Sequence, residues 1–249
     1  VQSGEGFKIA ARAFRKDAVI YEIVNIDNSI DHIIASAFVK LTEKYKISDI
    51  DIYPCNGEYM SAEQAKKIKP SIVKWLNYYS LNISDFLYAG EKVLHLDELR
   101  KDKTNPYYGE FQKEDDVYDP VLNDYSPDKT KYVNLMSSLY VGLEEDGRYH
   151  FIGSDDSHHL GLFDRKNKSF VMVSFRGSFN FADAVFWVDN NTFAVIGDNS
   201  LFEVGYYYIE VYDLKKDTCR YYLLRKEYDR AGDSYGIYNM KSRGIIIDE

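Results

Sequence analysis

His150, Asp155, Asp156, His158 and His159 bring together the side chains best suited to hold a metal ion. Imidazole nitrogens and carboxylate oxygens are the ligands that zinc and similar divalent cations take. Strands over 149–153 and 158–163 would form a hairpin centred between Ser154 and Asp155, with His150 opposite His159. Cross-strand neighbours lie about 5 Å apart, so His150, His159 and the loop carboxylate of Asp155 form the expected metal triad. A slip of one residue would send the two imidazoles to opposite faces and dissolve it. A divalent cation is the one cofactor the residues suggest, and a hydrolytic activity would have its site here.

Aromatic residues offer a second kind of chemistry. Tyr206, Tyr207 and Tyr208 run together, as do Tyr107 and Tyr108 and the pair Tyr221 and Tyr222. Strand alternation places Tyr206 and Tyr208 on one face and Tyr207 on the other. With Trp187, Tyr107 and Tyr108 they are the expected ligand-binding residues. A tyrosine face gives apolar area with a polar tip, which suits a sugar ring or a protein partner. Asp115, Asp116, Asp119 and Asp124 supply the oxygens a calcium ion wants, without EF-hand spacing, and read as a solvated charged loop.

Other chemistries lack their motifs. G-x-S-x-G, G-x-G-x-x-G, the P-loop pattern, H-E-x-x-H and C-x-x-C do not occur. Cys55 and Cys219 are far apart and read as two isolated thiols.

The elements that must position these residues follow from periodicity. Phe7, Ile9, Ala11 and Ala13 alternate as in a half-buried strand, and Ala18 to Ile26 is β-prone. Ile30, Ile33, Ile34, Ala37, Phe38, Leu41 and Tyr45 form one helical stripe. Ile47 to Tyr53 alternates again. Ser61-Ala62-Glu63-Gln64 is a capping box that starts a helix, which Pro70 should break or kink. Residues 105–130 hold three of the five prolines and seven carboxylates, and read as an acidic connection between parts. Beyond it come short strands near 131–135, 139–143, 149–153, 158–163, 169–175, 184–188, 192–196, 206–212 and 219–224, punctuated by polar turns. A last hairpin is expected from 235–240 and 244–248.

The β-rich half repeats itself. The Ser126-Pro127-Asp128 turn and the run after it lie on the Trp187–Asn190 turn and its run, with Asp128 matched to Asp189, and Asp164 with its hairpin lies on Asp213. The two offsets differ, so the first copy should carry an extra hairpin around Leu139–Gly153. A rival alignment lays the Gly153 hairpin on the Gly197 hairpin. The Ser-Pro-Asp turn and the hairpins of the form apolar–Asp–four polar residues–strand resemble the blades of TolB-like and WD40-like β-propellers over residues 122–226, about two blades. That resemblance implies four-stranded antiparallel blades and an incomplete propeller or a sandwich, since closure takes four to eight blades.

Composition bounds the rest. The 249 residues carry 31 Lys and Arg against 40 Asp and Glu, a net charge of −9, with 45% hydrophobic residues and 23 tyrosines. The acidic balance argues against nucleic acid as a partner, and no apolar run is long enough to span a membrane. The expected fold class is α+β: a mixed part with amphipathic helices over 1–104, the connection 105–130, and an antiparallel β-meander over 131–249, which can pack as one domain. The chain starts at Val1, which reads as removal of an upstream segment, either a secretory signal or a trimmed tag; the first reading places the protein outside the cytoplasm and leaves room for a lipid anchor upstream. The expected function is non-enzymatic extracytoplasmic binding of a protein or glycan. The alternatives are the hydrolase with a site near 150–159 and a structural subunit of a surface assembly.

Overall fold

Ser61 caps a helix as its sequence context asks. In a computed structural model of the chain, its hydroxyl accepts from the Gln64 N–H at 3.2 Å and starts α1 (Ala62–Tyr78). The structure describes residues 7–15, 18–26, 49–54, 58–101, 108–110, 120–135, 139–154, 158–176, 180–199, 206–225 and 233–247. The helical stripe expected at 30–45 lies outside them. Ile68, Ile72, Trp75 and Leu76 form the buried stripe of α1, each contributing roughly 1.5–3 kcal/mol by burial.

Pro70 does not break this helix, contrary to the expectation. It sits on the exposed face, where water can satisfy the carbonyl one turn earlier that loses its N–H donor. Pro70→Ala should restore that bond. The expected gain is about 1–2 kcal/mol, read as a higher urea midpoint, because the interior-proline penalty exceeds the stiffening that proline gives the unfolded chain. A lower midpoint would show that the pyrrolidine ring is itself a packing element.

The fold is α+β, with antiparallel sheet predominating. β1 (Phe7–Arg15) pairs with β2 (Ala18–Ile26) and β3 (Asp49–Pro54) in a small sheet. β4 is Leu87–Val93, α2 is Leu96–Lys101 and β5 is Tyr108–Glu110. The β-rich half supplies β6 (Asn123–Tyr125), β7 (Lys131–Asn134), β8 (Leu139–Leu143), β9 (Tyr149–Ser154), β10 (His158–Asp164) and β11 (Ser169–Arg176). It continues with β12 (Asn180–Asp189), β13 (Thr192–Asn199), β14 (Tyr206–Asp213), β15 (Thr218–Arg225) and α3 (Tyr235–Ser242).

Two five-stranded sheets dominate, ordered β5-β11-β10-β7-β6 and β12-β13-β14-β15-β4. Set aside β5 and β4, and each is a four-stranded meander with the same internal order. The β8–β9 hairpin is inserted between β7 and β10 and forms a separate two-stranded sheet. This is the first of the two sequence alignments, with its extra hairpin at 139–154. Equivalent aspartates do equivalent work. Asp128 and Asp189 each accept from the N–H two residues on, and Asp164 and Asp213 from the N–H three residues on.

The second sheet is buried on both faces. On β13, Phe193 and Val195 join a core shared with Val133, Leu160, Leu162 and Val171 of the first sheet. Ala194 and Ile196 face the other way, into a core shared with Ile68, Ile72 and Trp75 of α1. β4, from before the acidic connection, completes the sheet by pairing with β15. Residues 58–101 therefore share sheet and core with the β-rich half, and the change of composition at 105–130 does not divide that core.

Two expected hairpins are replaced. β9 pairs with β8, while β10 pairs with β11 and β7, so no 149–163 hairpin forms. The terminal hairpin is instead α3 followed by a bridge between Ile246 and His150.

Candidate functional site: a cationic cleft at the turn end

In a meander, alternate turns lie at one end, and here four of them become neighbours. The β6–β7 turn touches the β12–β13 turn through Asp128 N–H, which donates to Asn190 Oδ1 at 3.0 Å, and Lys131 Nζ, which donates to the Asn190 carbonyl at 3.2 Å. The β10–β11 turn leans on the β6–β7 turn, with Arg165 donating from its backbone N–H to the Thr130 carbonyl and from Nη1 to the Lys129 carbonyl. Leu214 N–H donates to the Asn191 carbonyl at 2.8 Å, joining the β14–β15 turn to the β12–β13 turn.

Between α1 and the last two turns lies a cleft of about 340 Å³ lined by Lys67, Lys215, Lys216, Asp189, Asp213, Asn190, Asn191 and Thr192. Lys67 reaches across from the helix, its ammonium 3.0 Å from Asp189 Oδ2 and 3.3 Å from Thr192 Oγ1. The carboxylates brace the turns from within. Asp189 Oδ1 accepts the Asn191 N–H at 2.8 Å, and Asp213 Oδ1 accepts the N–H groups of Lys215 and Lys216, both at 3.1 Å. Partial burial pushes the Asp189 carboxyl up, but the Asn191 N–H and the Lys67 ammonium outweigh it and hold the group below its ordinary range. The Thr130 N–H and Ser126 hydroxyl do the same for Asp128. The turn carboxylates are thus engaged by their own turns, while the Lys215 ammonium and the Asn191 side-chain amide have no hydrogen-bond partner among the described residues.

The hairpin that would set His150 opposite His159 does not form. His150 Nε2 lies 3.2 Å from Asp146 Oδ2, His159 Nδ1 lies 3.1 Å from Met172 Sδ, and Asp155 falls outside the described residues. Among the described residues no group of three His, Cys, Asp or Glu side chains is placed to hold a metal ion. The calcium reading loses Asp124, whose Oδ1 accepts from Arg243 at 2.7 Å in a buried pair; Asp115, Asp116 and Asp119 lie outside the described residues.

Two of the expected ligand-binding aromatics, Tyr208 and Trp187, are described, and Tyr208 is interior. Tyr208 is buried between the two sheets, and Tyr207 is buried under α1. Trp187 is half-buried, its indole donating to the Asp124 carbonyl at 2.7 Å and its ring 5.1 Å from Phe193. The side chains of Tyr206 and Tyr108, and all of Tyr107, lie outside what the structure describes. Cys219 is buried and in no disulfide among the described residues, and Cys55 lies outside them. Sequence reasoning missed Lys67, Lys215, Lys216 and Asn191 as a group. Their one sequence signal is that alternate turns of a meander share an end, together with the lysine content of those turns.

One further polar group is unusual. Asp183, at a bulge in β12, is fully buried against α1 and α3. Trp75 Nε1 donates to its Oδ2 and the Gly236 N–H to its Oδ1, both at 3.0 Å. Burial, reinforced by the neighbouring Asp198 carboxylate, pushes Asp183 up to about 7 against these donors and Tyr79. No family model, no curated protein and no solved structure matches this chain.

Proposed function

We propose that this chain is a non-enzymatic extracytoplasmic binding protein that takes a protein or glycan ligand at the turn end of its two sheets. The observation that carries this reading is the cleft between α1 and the β12–β13 and β14–β15 turns. It presents lysine, amide, hydroxyl and carboxylate groups from turns that are braced by their own carboxylates. Such a site orients a ligand with little ordering cost, because its polar groups are already held. The two matched meanders are, in this proposal, consecutive propeller-like blades that present their turns side by side, as repeat scaffolds present loops. The extracytoplasmic placement rests on the acidic, tyrosine-rich composition and is tested by fractionating the native producer.

An array of immobilised glycans and peptides, probed with the labelled chain, tests the binding role. Asn191→Trp fills the cleft from a half-buried turn position. Binding that drops at least about tenfold in that variant, equivalent to about 1.4 kcal/mol, supports the site. Ligands bound equally by both chains would place recognition elsewhere, and an array without ligands would count against a binding role.

A further inference from the structure

We infer that the ligand of the turn-end cleft is an acidic glycan, one carrying carboxylate or sulfate groups among free hydroxyls. This inference rests on the binding reading and names the class of ligand.

Charge is the first observation. The β6–β7 turn contributes Lys129 and Lys131, and the β10–β11 turn Arg165, Lys166 and Lys168. The β14–β15 turn adds Lys215 and Lys216, and α1 adds Lys67. These eight cations stand against five carboxylates, Asp128, Asp164, Asp189, Asp213 and Asp217, on a chain whose net charge is −9. Asp128, Asp164, Asp189 and Asp213 accept backbone N–H groups of their own turns, and Asp217 Oδ1 accepts the Leu96 N–H at 3.0 Å. Asp164 is buried and Asp189, Asp213 and Asp217 are half-buried, while Asp128 and the cations Lys129, Arg165, Lys166, Lys168, Lys215 and Lys216 are exposed; Lys67 pairs with Asp189, and Lys216 Nζ lies 3.9 Å from Asp213 Oδ2. Hydrogen bonds between adjacent turns gather these cations at one end of the two sheets, where like charges add to a common field.

The polar lining narrows the class. Asp189 and Asp213 remain acceptors on lone pairs their turns do not use, and Asn191 offers an amide that both donates and accepts. A ligand that satisfies this set brings negative charge for the lysines and hydroxyl hydrogens for the carboxylates. An acidic sugar has both. A poly-acidic peptide brings the charge without a ring of hydroxyl donors for Asp189 and Asp213. Single-stranded nucleic acid wants aromatic rings for its bases, and no aromatic side chain lines the cleft.

Binding of the full chain to size-defined heparin and polygalacturonate oligosaccharides, with dextran, poly-glutamate and single-stranded DNA of matched length, tests this. The expected result is saturable binding of at least one acidic oligosaccharide, which weakens about tenfold between about 50 and 200 mM salt. The same ligand should lose at least about tenfold in Lys215→Glu/Lys216→Glu and be retained in Lys215→Arg/Lys216→Arg. Heparin against polygalacturonate separates sulfate from carboxylate recognition. An unchanged circular dichroism spectrum and melting temperature in both variants show that the exposed turn still folds. Equal binding of poly-glutamate or DNA would overturn the inference, because the surface would then read charge alone. So would cleft-dependent binding of dextran only, which would leave the binding role standing. Absence of binding to every probe overturns the inference; array ligands lost in Asn191→Trp would show that the cleft itself still functions.

Discussion

Raising the pH from about 5 to about 8 lowers the unfolding free energy of this chain by several kcal/mol. The cause is two buried carboxyls that the folded chain keeps protonated. Asp183 is pushed up to about 7, first by burial and then by Asp198. Asp124 is pushed up to about 6 by burial, against the Arg243 guanidinium, and its Oδ2 is buried with no hydrogen-bond partner among the described residues. For both groups the folded pKa exceeds the unfolded value. Between the two values the folded chain holds a proton that the unfolded chain releases, so this stability is full below about pH 4 and is lost as pH rises through the folded pKa. Over that range Asp183 accounts for about 3 kcal/mol and Asp124 for about 1 kcal/mol. The carboxylates held low, Asp128, Asp146 and Asp189, act with the opposite sign and only below about pH 4. Urea midpoints at closely spaced pH values measure the slope. Asp198→Asn removes the charge beside Asp183 and should flatten the curve. A midpoint that holds steady or climbs across the range would rule out a protonated Asp183.

Trp75→Ala is expected to be the most damaging single substitution in the helical layer. Trp75 is fully buried, with ring centroids 5.9 Å from Tyr207, 6.0 Å from Phe86 and 6.1 Å from Tyr79. Truncating it costs about 3–5 kcal/mol in lost transfer energy and cavity. It also removes a donor to Asp183, and a buried acceptor left short costs about 1–3 kcal/mol more. Trp75→Phe separates the two contributions, since it keeps much of the apolar volume and loses only the N–H. Its cost should be smaller and should grow above pH 7, where an ionised Asp183 needs its donors most. Chemical denaturation of both variants at pH 5 and pH 8 decides it. Equal costs for the two variants, or a phenylalanine cost that ignores pH, would sever the link between Trp75 and the carboxyl.

Much of the local structure was legible from the residues. The Ser61 cap marks the start of α1 because a cap is set by neighbours within one turn, whereas the buried stripe Ile68, Ile72, Trp75 and Leu76 runs through the expected break at Pro70. The strands of the β-rich half follow from alternation between polar turns. The paired aspartates, 128 with 189 and 164 with 213, align the two meanders because each serves its own turn. The segment after Ser234 was not legible. Tyr235, Ile237 and Tyr238 favour a strand by type. The helix forms because Ser234 accepts the Ile237 N–H and Asp183, far away in sequence, accepts the Gly236 N–H.

The candidate site divides along the same line. Alternation placed Tyr207 and Tyr208 on opposite faces, and they are, but it carries no information about which faces are wet. Both are dry, because α1 covers one side of the second sheet and the first sheet covers the other. Pairing of 149–154 with 158–164 looked natural by proximity, yet β9 finds β8, and His150 ends beside Asp146. The lysines of the turn end were visible one turn at a time as ordinary turn residues. By itself, the sequence determined what depends on near neighbours: helix caps, strand alternation, turn chemistry and the hairpin repeat. Only the tertiary structure decided which faces lose water and which turns meet, because stacking two sheets and a helix brings together groups that no local interaction connects.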